Sequence, residues 1–300
     1  MNHPFHGVLP AITTPFKANG AVDHAFLAKH VKKMLDADCK GIVPLGSLGE
    51  TATLSFDEKC AVMATVVKAV GKRGGVVPGI AALSTADAVT LAKAAHQAGC
   101  HGLMVLPPYV YSTDWREMKA HVAAVIAATP LPCMLYNNPI AYKTDFLPEQ
   151  IKELATAHKN LLAVKESSAD IRRIAAIRAL LNNRLAILVG VDDLIVEGIA
   201  AGATGWVAGL VAAFPDESVE LFNLARSGKV AQARRLYEWF LPLLRLDTVP
   251  KFVQLIKLTQ EMVGMGSSRV RAPRLMLEGE ERKAAEKIIR HALSRRPVFD

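Results

Sequence analysis

Cysteine is scarce in this chain. Its four cysteines, Cys39, Cys60, Cys100 and Cys133, are widely spaced and form no CxxC pair, which excludes a disulfide framework and the usual zinc spacing. The nine histidines make no HxH or HExxH pattern, so no metal is expected. Aromatics are only 6% of the residues, too few for an aromatic-rich sandwich. No G-x-G-x-x-G follows the first apolar run, which weakens a dinucleotide-binding reading. Long apolar runs are missing as well: AAIRALL and LAILVG are parted by Asn182-Asn183-Arg184, and the opening MNHPFHGVLP has no extended apolar core. Neither a membrane span nor a secretory leader is expected, and the chain reads as a reduced, cytoplasmic protein.

The formal net charge of +8 invites a nucleic-acid partner. Yet the basic residues are scattered, and their densest clusters, Arg269-Val270-Arg271 and Arg295-Arg296, carry no interleaved aromatics. A solvated basic surface accounts for them, and it suits a small anionic substrate better than a nucleic acid.

What is plentiful is Ala, Val, Leu and Ile, arranged as short apolar runs alternating with longer helical patterns. Strands are expected at Val8–Thr13, Gly41–Leu45, Val76–Ile80, Gly102–Leu106, Pro132–Tyr136, Leu161–Lys165, Ala186–Val189 and Thr204–Ala208. Helices such as Asp23–Ala37, Asp57–Val70, Thr85–Ala98 and Asp114–Ala128 fall between them. Ser55 and Glu58 have capping-box spacing. Small residues or Gly before the strands in DADCKGIVPLG, QAGCHGLMVLPP and AAGATGWVAGL mark recurring helix-to-strand turns. Eight such units predict an α/β fold, a (β/α)8 TIM barrel over 1–228. After Phe214-Pro215 the pattern is wholly helical, so residues 229–300 are expected as a C-terminal helical extension packed on the barrel.

In a barrel of this kind chemistry sits at the C-terminal ends of the strands. Those ends carry Gly46-Ser47-Leu48-Gly49-Glu50, Pro107-Pro108-Tyr109-Val110-Tyr111, Tyr136-Asn137-Asn138-Pro139, Lys165-Glu166-Ser167-Ser168 and Gly190-Val191-Asp192-Asp193, with Trp206 on the last strand. Lys165 follows the apolar run Leu161-Leu162-Ala163-Val164, where desolvation would favour its neutral amine. A neutral amine attacks a ketone to form an imine, and Tyr136 on the preceding strand is a candidate proton shuttle. The Gly46-Ser47-Leu48 turn offers amide and hydroxyl donors for a carboxylate. Each feature has a plain alternative: Lys165 reaching water, Tyr136 packing in the core, and Glu50 and Asp192-Asp193 serving as helix N-terminal charges.

Taken together, Ala11-Ile12-Thr13-Thr14-Pro15-Phe16, Gly46-Ser47-Leu48-Gly49-Glu50, Tyr136-Asn137-Asn138-Pro139, Val164-Lys165-Glu166-Ser167-Ser168 and Gly202-Ala203-Thr204-Gly205 resemble the dihydrodipicolinate synthase / N-acetylneuraminate lyase family over essentially the full length. The resemblance implies a homotetramer (a dimer of dimers) without metal or organic cofactor. It also implies that Lys165 forms a Schiff base with a 2-oxo acid and that Tyr136 is the acid/base. Ser47 with the Leu48 backbone would hold the substrate carboxylate, and Trp206 would set a backbone carbonyl near the keto acid. Three departures stand out. Leu48 replaces a relay threonine; Val110 replaces a tyrosine lent by a neighbouring subunit, with Tyr111 one residue away; and Pro139-Ile140-Ala141-Tyr142-Lys143 lacks the arginine found in synthases. Leu and Val pass no protons. The expected activity is therefore that of catabolic members that dehydrate, deaminate or cleave hydroxylated 2-oxo acids or cyclic imines. Examples are 1-pyrroline-4-hydroxy-2-carboxylate deaminase and 2-keto-3-deoxy sugar acid dehydratase. The alternatives are condensation of pyruvate with an aldehyde by a 4-hydroxy-tetrahydrodipicolinate synthase, and a non-catalytic keto-acid sensor.

Overall fold

The computed structural model describes residues 3–108 and 114–297; Tyr109, Val110 and Tyr111 lie outside them. The strands are β1 (Gly7–Pro10), β2 (Gly41–Ile42), β3 (Gly75–Val76), β4 (Gly79–Ile80), β5 (Leu103–Val105), β6 (Cys133–Asn137), β7 (Leu161–Glu166), β8 (Ala186–Val189) and β9 (Gly205–Ala208). All are parallel. Seven pair in the order β1-β9-β8-β7-β6-β5-β4, and β2 pairs with β3. Backbone bonds close the ring: Lys40 and Val43 donate to Val8 and Pro10 on one side of β2, and Gly75 and Val77 donate to Lys40 and Ile42 on the other. The result is the expected (β/α)8 barrel, with its third strand in two pieces. Pro78 interrupts that strand because it has no N–H to give the ladder.

Helices wrap the barrel: α1 (His24–Asp36), α2 (Phe56–Val70), α3 (Thr85–Gln97), α4 (Trp115–Ala127), the short α5 (Pro139–Tyr142), α6 (Pro148–Ala157), α7 (Arg172–Leu181), α8 (Ile195–Ala200) and α9 (Pro215–Arg226). Their ends follow the capping signals. Asp23 accepts from Phe26 N–H, Ser55 and Glu58 form the reciprocal capping box, and Asp114 accepts from the N–H groups of Arg116 and Glu117. Among the described residues no helix is long and apolar enough to cross a bilayer.

Two apolar layers follow from strand alternation. Leu9, Met104, Met134, Tyr136, Ala163, Leu188 and Val207 point into the barrel lumen. Their neighbours Val8, Val105, Leu135, Val164, Ile187, Val189, Trp206 and Ala208 face the helices. Lys165 has the parity of Ala163, so its stem turns inward rather than to water.

The last three helices, α10 (Val230–Leu244), α11 (Phe252–Met262) and α12 (Gly279–Leu293), are tied to the barrel by polar bonds as well as packing. Thr13 donates to Gln260 at 2.8 Å, and Arg269 donates to the Phe16 carbonyl at 2.8 Å. Lys257 of α11 is buried and ion-pairs with buried Glu50 at the end of the glycine turn; its ammonium also donates to the Arg269 carbonyl at 2.7 Å. The other Glu50 oxygen accepts from Arg271 N–H at 3.0 Å. Glu50 sits at φ 53° and Leu45 at φ 62°, left-handed conformations that cost energy for side chains of this kind. The buried pair therefore holds the glycine turn in a shape it would not adopt alone.

Removing one partner of such a pair strands the other's charge. Glu50→Ala is expected to lower unfolding free energy by about 3–5 kcal/mol. In denaturant melts the double variant Glu50→Leu/Lys257→Met should lose much less, because no charge remains buried.

Candidate active site

Lys165 on β7 and Tyr136 on β6 are paired residues of adjacent strands. This register depends on a one-residue irregularity. Cys133 pairs with Leu161, but Met134 pairs with Ala163, so β7 carries an extra residue at Leu162. Without that bulge Tyr136 would face Val164, and Lys165 would sit opposite Asn137. With it, the Lys165 Nζ lies 4.2 Å from the centre of the Tyr136 ring. Lys165 is 6% exposed and Tyr136 4%.

The residues of opposite parity lock the pair. Asn137 Nδ2 donates to Glu166 at 3.1 Å and to the Phe146 carbonyl at 3.3 Å, and its Oδ1 accepts from Phe146 N–H at 3.0 Å. Glu166 also accepts from Ser168 N–H at 2.7 Å. Thus in Tyr136-Asn137 and Lys165-Glu166 alike, the first residue faces the lumen and the second fastens the strand. Gly190 on the neighbouring strand end is needed for clearance. A Cβ there would stand 2.6 Å from Lys165 Cε and 2.0 Å from Ser167 Oγ.

Above Lys165 opens a cavity of about 480 Å³, with Gly46, Ser47 and Leu48 on one wall and Gly209, Asp247 and Arg274 among its other residues. Ser47 Oγ is hydrogen-bonded to the Tyr142 hydroxyl, and the Tyr142 ring meets Tyr136 edge-on at 5.8 Å. The Tyr136 hydroxyl accepts from Asn138 Nδ2 at 2.9 Å.

Burial dominates the electrostatics. Desolvation lowers the Lys165 ammonium to about 8, opposed by the charges of Asp247 and Asp192. Desolvation pushes the Tyr136 phenol up to about 12, so it stays protonated at neutral pH. Asp192 accepts from Gly209 N–H at 3.1 Å and Leu210 N–H at 2.9 Å, while burial raises it to about 6. Asp247 is raised well above the carboxylate range, first by burial and then by the Asp192 charge.

The structure thus brings Lys165, Tyr136, Gly46, Ser47 and Leu48 around one cavity. The resemblance implies only a backbone role for Trp206, and its side chain turns away from the lumen. Its indole belongs to the outer layer, fully buried against the helices, and its Nε1 has no hydrogen-bond partner. Only its backbone is on the lumen wall, paired with Val8 and Val189. The alternation of Gly205-Trp206-Val207 could have shown this, since Val207 points inward. Tyr111 lies outside the described residues.

Tyr142, Asp247 and Arg274 escaped the sequence reading. Tyr142 is delivered by the four-residue helix that Asn138 caps, its side chain accepting from Ala141 N–H at 3.0 Å. Asp247 and Arg274 come from the helical extension, where no strand-end rule applies. Arg274 supplies a guanidinium on the cavity wall although none follows the tyrosine motif; it lies 3.9 Å from Glu50.

A sequence model of the Dihydrodipicolinate synthetase family matches residues 4–292. The 4-hydroxy-tetrahydrodipicolinate synthase of Citrifermentans bemidjiense is 32% identical over 269 residues, covering 90% of this chain and 92% of the relative. That of Mycolicibacterium paratuberculosis is 36% identical over 236 residues, covering 79% and 78%. The crystal structure of dihydrodipicolinate synthase from Bacillus anthracis superposes with a TM-score of 0.92 at 28% identity, covering 96% of this chain and 99% of that one.

A lysine amine lowered to about 8 becomes largely neutral across the range where an exposed lysine is still charged. The rate at which an uncharged amine reagent labels Lys165 is expected to rise with pH and level off above an inflection near pH 8, read by peptide mass mapping. An inflection above 10 would mean that the amine is solvated.

Proposed function

Because the chain belongs to the dihydrodipicolinate synthetase family, we propose that it is a lyase in which Lys165 forms a Schiff base with a small 2-oxo acid or opens a cyclic imine. The observation that carries this reading is the buried Lys165 amine, 4.2 Å from the Tyr136 ring, at the floor of a cavity of about 480 Å³. The neutral amine adds to the ketone carbon, and loss of water leaves an imine. Once protonated, the imine accepts electrons from the neighbouring C–H bond and labilises a substituent one carbon further on.

Ser47 and the amides of the glycine turn are the carboxylate donors in this scheme, with Tyr136 giving a hydrogen bond from its protonated phenol. Arg274 adds a positive charge on the wall for a second anionic or polar end of the substrate.

The finer reading is elimination or hydrolytic deamination of a hydroxylated 2-oxo acid or imine, as in a 1-pyrroline-4-hydroxy-2-carboxylate deaminase or a 2-keto-3-deoxy sugar acid dehydratase. Leu48 supports it. The position beside Ser47 carries no hydroxyl, so the turn keeps one hydroxyl, Ser47, bonded to Tyr142, where the resemblance to synthases implies two. The second reading is the condensation of pyruvate with an aldehyde, favoured by the name that the relatives share. We also propose a homotetramer as the working assembly.

Borohydride reduction in the presence of pyruvate or another 2-oxo acid should attach the acid's carbon skeleton to Lys165, and Lys165→Ala should abolish both labelling and turnover. A panel of hydroxylated 2-oxo acids and cyclic imines, followed for ammonia, water loss and pyruvate, is expected to show elimination or deamination. Release or consumption of pyruvate with an aldehyde alone would favour the second reading, and labelling without any turnover would indicate a sensor.

A further inference from the structure

We propose that Asp247 is a catalytic acid–base residue of this site, carrying protons of imine and enamine formation alongside Tyr136. The proposal rests on the Schiff-base reading of Lys165 and adds a second reacting group to it.

The geometry starts with the backbone. After α10 the chain makes a single 3-10 turn, Arg245–Asp247. Arg245 is paired with Asp193 at 3.4 Å, and Tyr237 donates to the Asp193 carbonyl at 2.5 Å, so the turn is pinned over the mouth of the barrel. Asp247 projects from it into the cavity that holds Lys165. Its Oδ1 is shut from solvent and has no hydrogen-bond partner. An orphaned, buried carboxyl oxygen is costly, and such groups concentrate where a substrate completes the bonding.

Gly209 makes the placement possible. A Cβ at that position would lie 2.2 Å from Asp247 Oδ1 and 2.9 Å from Leu48 Cδ2. The carboxyl therefore occupies space beside the Leu48 side chain. Three titratable groups act on it: Asp192 from the turn after β8, Lys165 from β7 and Tyr136 from β6. Asp192 has its charge stabilised by the N–H groups of Gly209 and Leu210. Burial first and the Asp192 charge second push Asp247 towards its protonated form, while desolvation moves Lys165 towards the free amine against the pull of both carboxyl groups.

The protonated Asp247 and the free-amine form of Lys165 are matched to the first chemical step. Lys165 Nζ adds to the ketone carbon, and after proton transfer from nitrogen to oxygen a neutral carbinolamine stands in the cavity. The nitrogen lone pair then expels the hydroxyl group; the C–O bond breaks, and the departing oxygen takes the Asp247 proton and leaves as water. An iminium cation and an Asp247 carboxylate remain, an ion pair formed in a dry pocket where each stabilises the other. The carboxylate next removes a proton from the carbon beside the iminium, and the C–H electrons form the enamine. Asp247 is again protonated. With a hydroxyl or amino group one carbon further on, that proton leaves with the group as water or ammonia. With pyruvate the acid exchanges its proton with solvent, and the enamine carbon takes a solvent-derived proton back from it.

Pyruvate is the probe that tests this without knowing the natural substrate. Two rates are followed: formation of the borohydride-reducible adduct on Lys165, and exchange of the pyruvate methyl hydrogens into D2O by NMR. Asp247→Asn keeps the shape and neutrality of the protonated acid, so the fold is retained. Both rates are expected to fall by about 10²–10⁴-fold, with stabilisation of the protein by pyruvate preserved. In Asp247→Ala, added formate should restore exchange in proportion to its concentration, which a merely structural role would not allow. Adduct formation and exchange in Asp247→Asn within about threefold of wild type would overturn the proposal, as would absence of formate rescue in a folded Asp247→Ala. Failure of the wild-type protein to form an adduct at Lys165 would instead sink the Schiff-base reading on which the proposal rests.

Discussion

The exclusion of water from the Lys165 amine is the constraint on which this molecule's arrangement turns. An ammonium is stable in water and poor as a nucleophile, so the chain must keep it dry without ejecting it. It does so by placing Lys165 on the lumen parity of β7, under Tyr136, with Gly190 leaving room for its stem. The lowering to about 8 is the measure of that confinement, and the two nearby carboxyl groups limit how far it goes. A fully isolated amine would lose its charge altogether, and a fully paired one would keep it. The site lies between these limits.

The helical extension takes part in this balance. Lys257 and Arg271 fix Glu50, and through it the left-handed end of the glycine turn. The same stretch of chain sends Asp247 and Arg274 into the cavity. Barrel backbone held in a strained shape and extension side chains therefore line the same pocket, next to one another. A buried ion pair whose members belong to the two parts joins them.

Much of the barrel was legible because parallel strands covered by helices leave a simple trace: short apolar runs at regular intervals, with caps and glycines between. Lys165, Tyr136, Ser47 and Leu48 were legible for the same reason, since each ends such a run. What escaped has physical causes. The bulge at Leu162 is a matter of register, which β6 and β7 settle only on pairing. Glu50 looked like a charge at a helix start; its partner Lys257 stands on α11, distant in sequence and joined to it only by the fold. Asp247 sits in a run of amphipathic helices, where an acidic residue is ordinarily a solvated one.

The division of the pocket between barrel and extension has a bearing on how such a protein can diverge. Lys165 and Asp247 share one cavity but are encoded far apart, on separate stretches of chain. A scaffold built this way can keep its lumen lysine while the side chains that the stretch 245–274 sends into the cavity are exchanged. Recombination at the loop before α10 would be the natural route, since it would carry Asp247, Lys257 and Arg274 together as one heritable cassette.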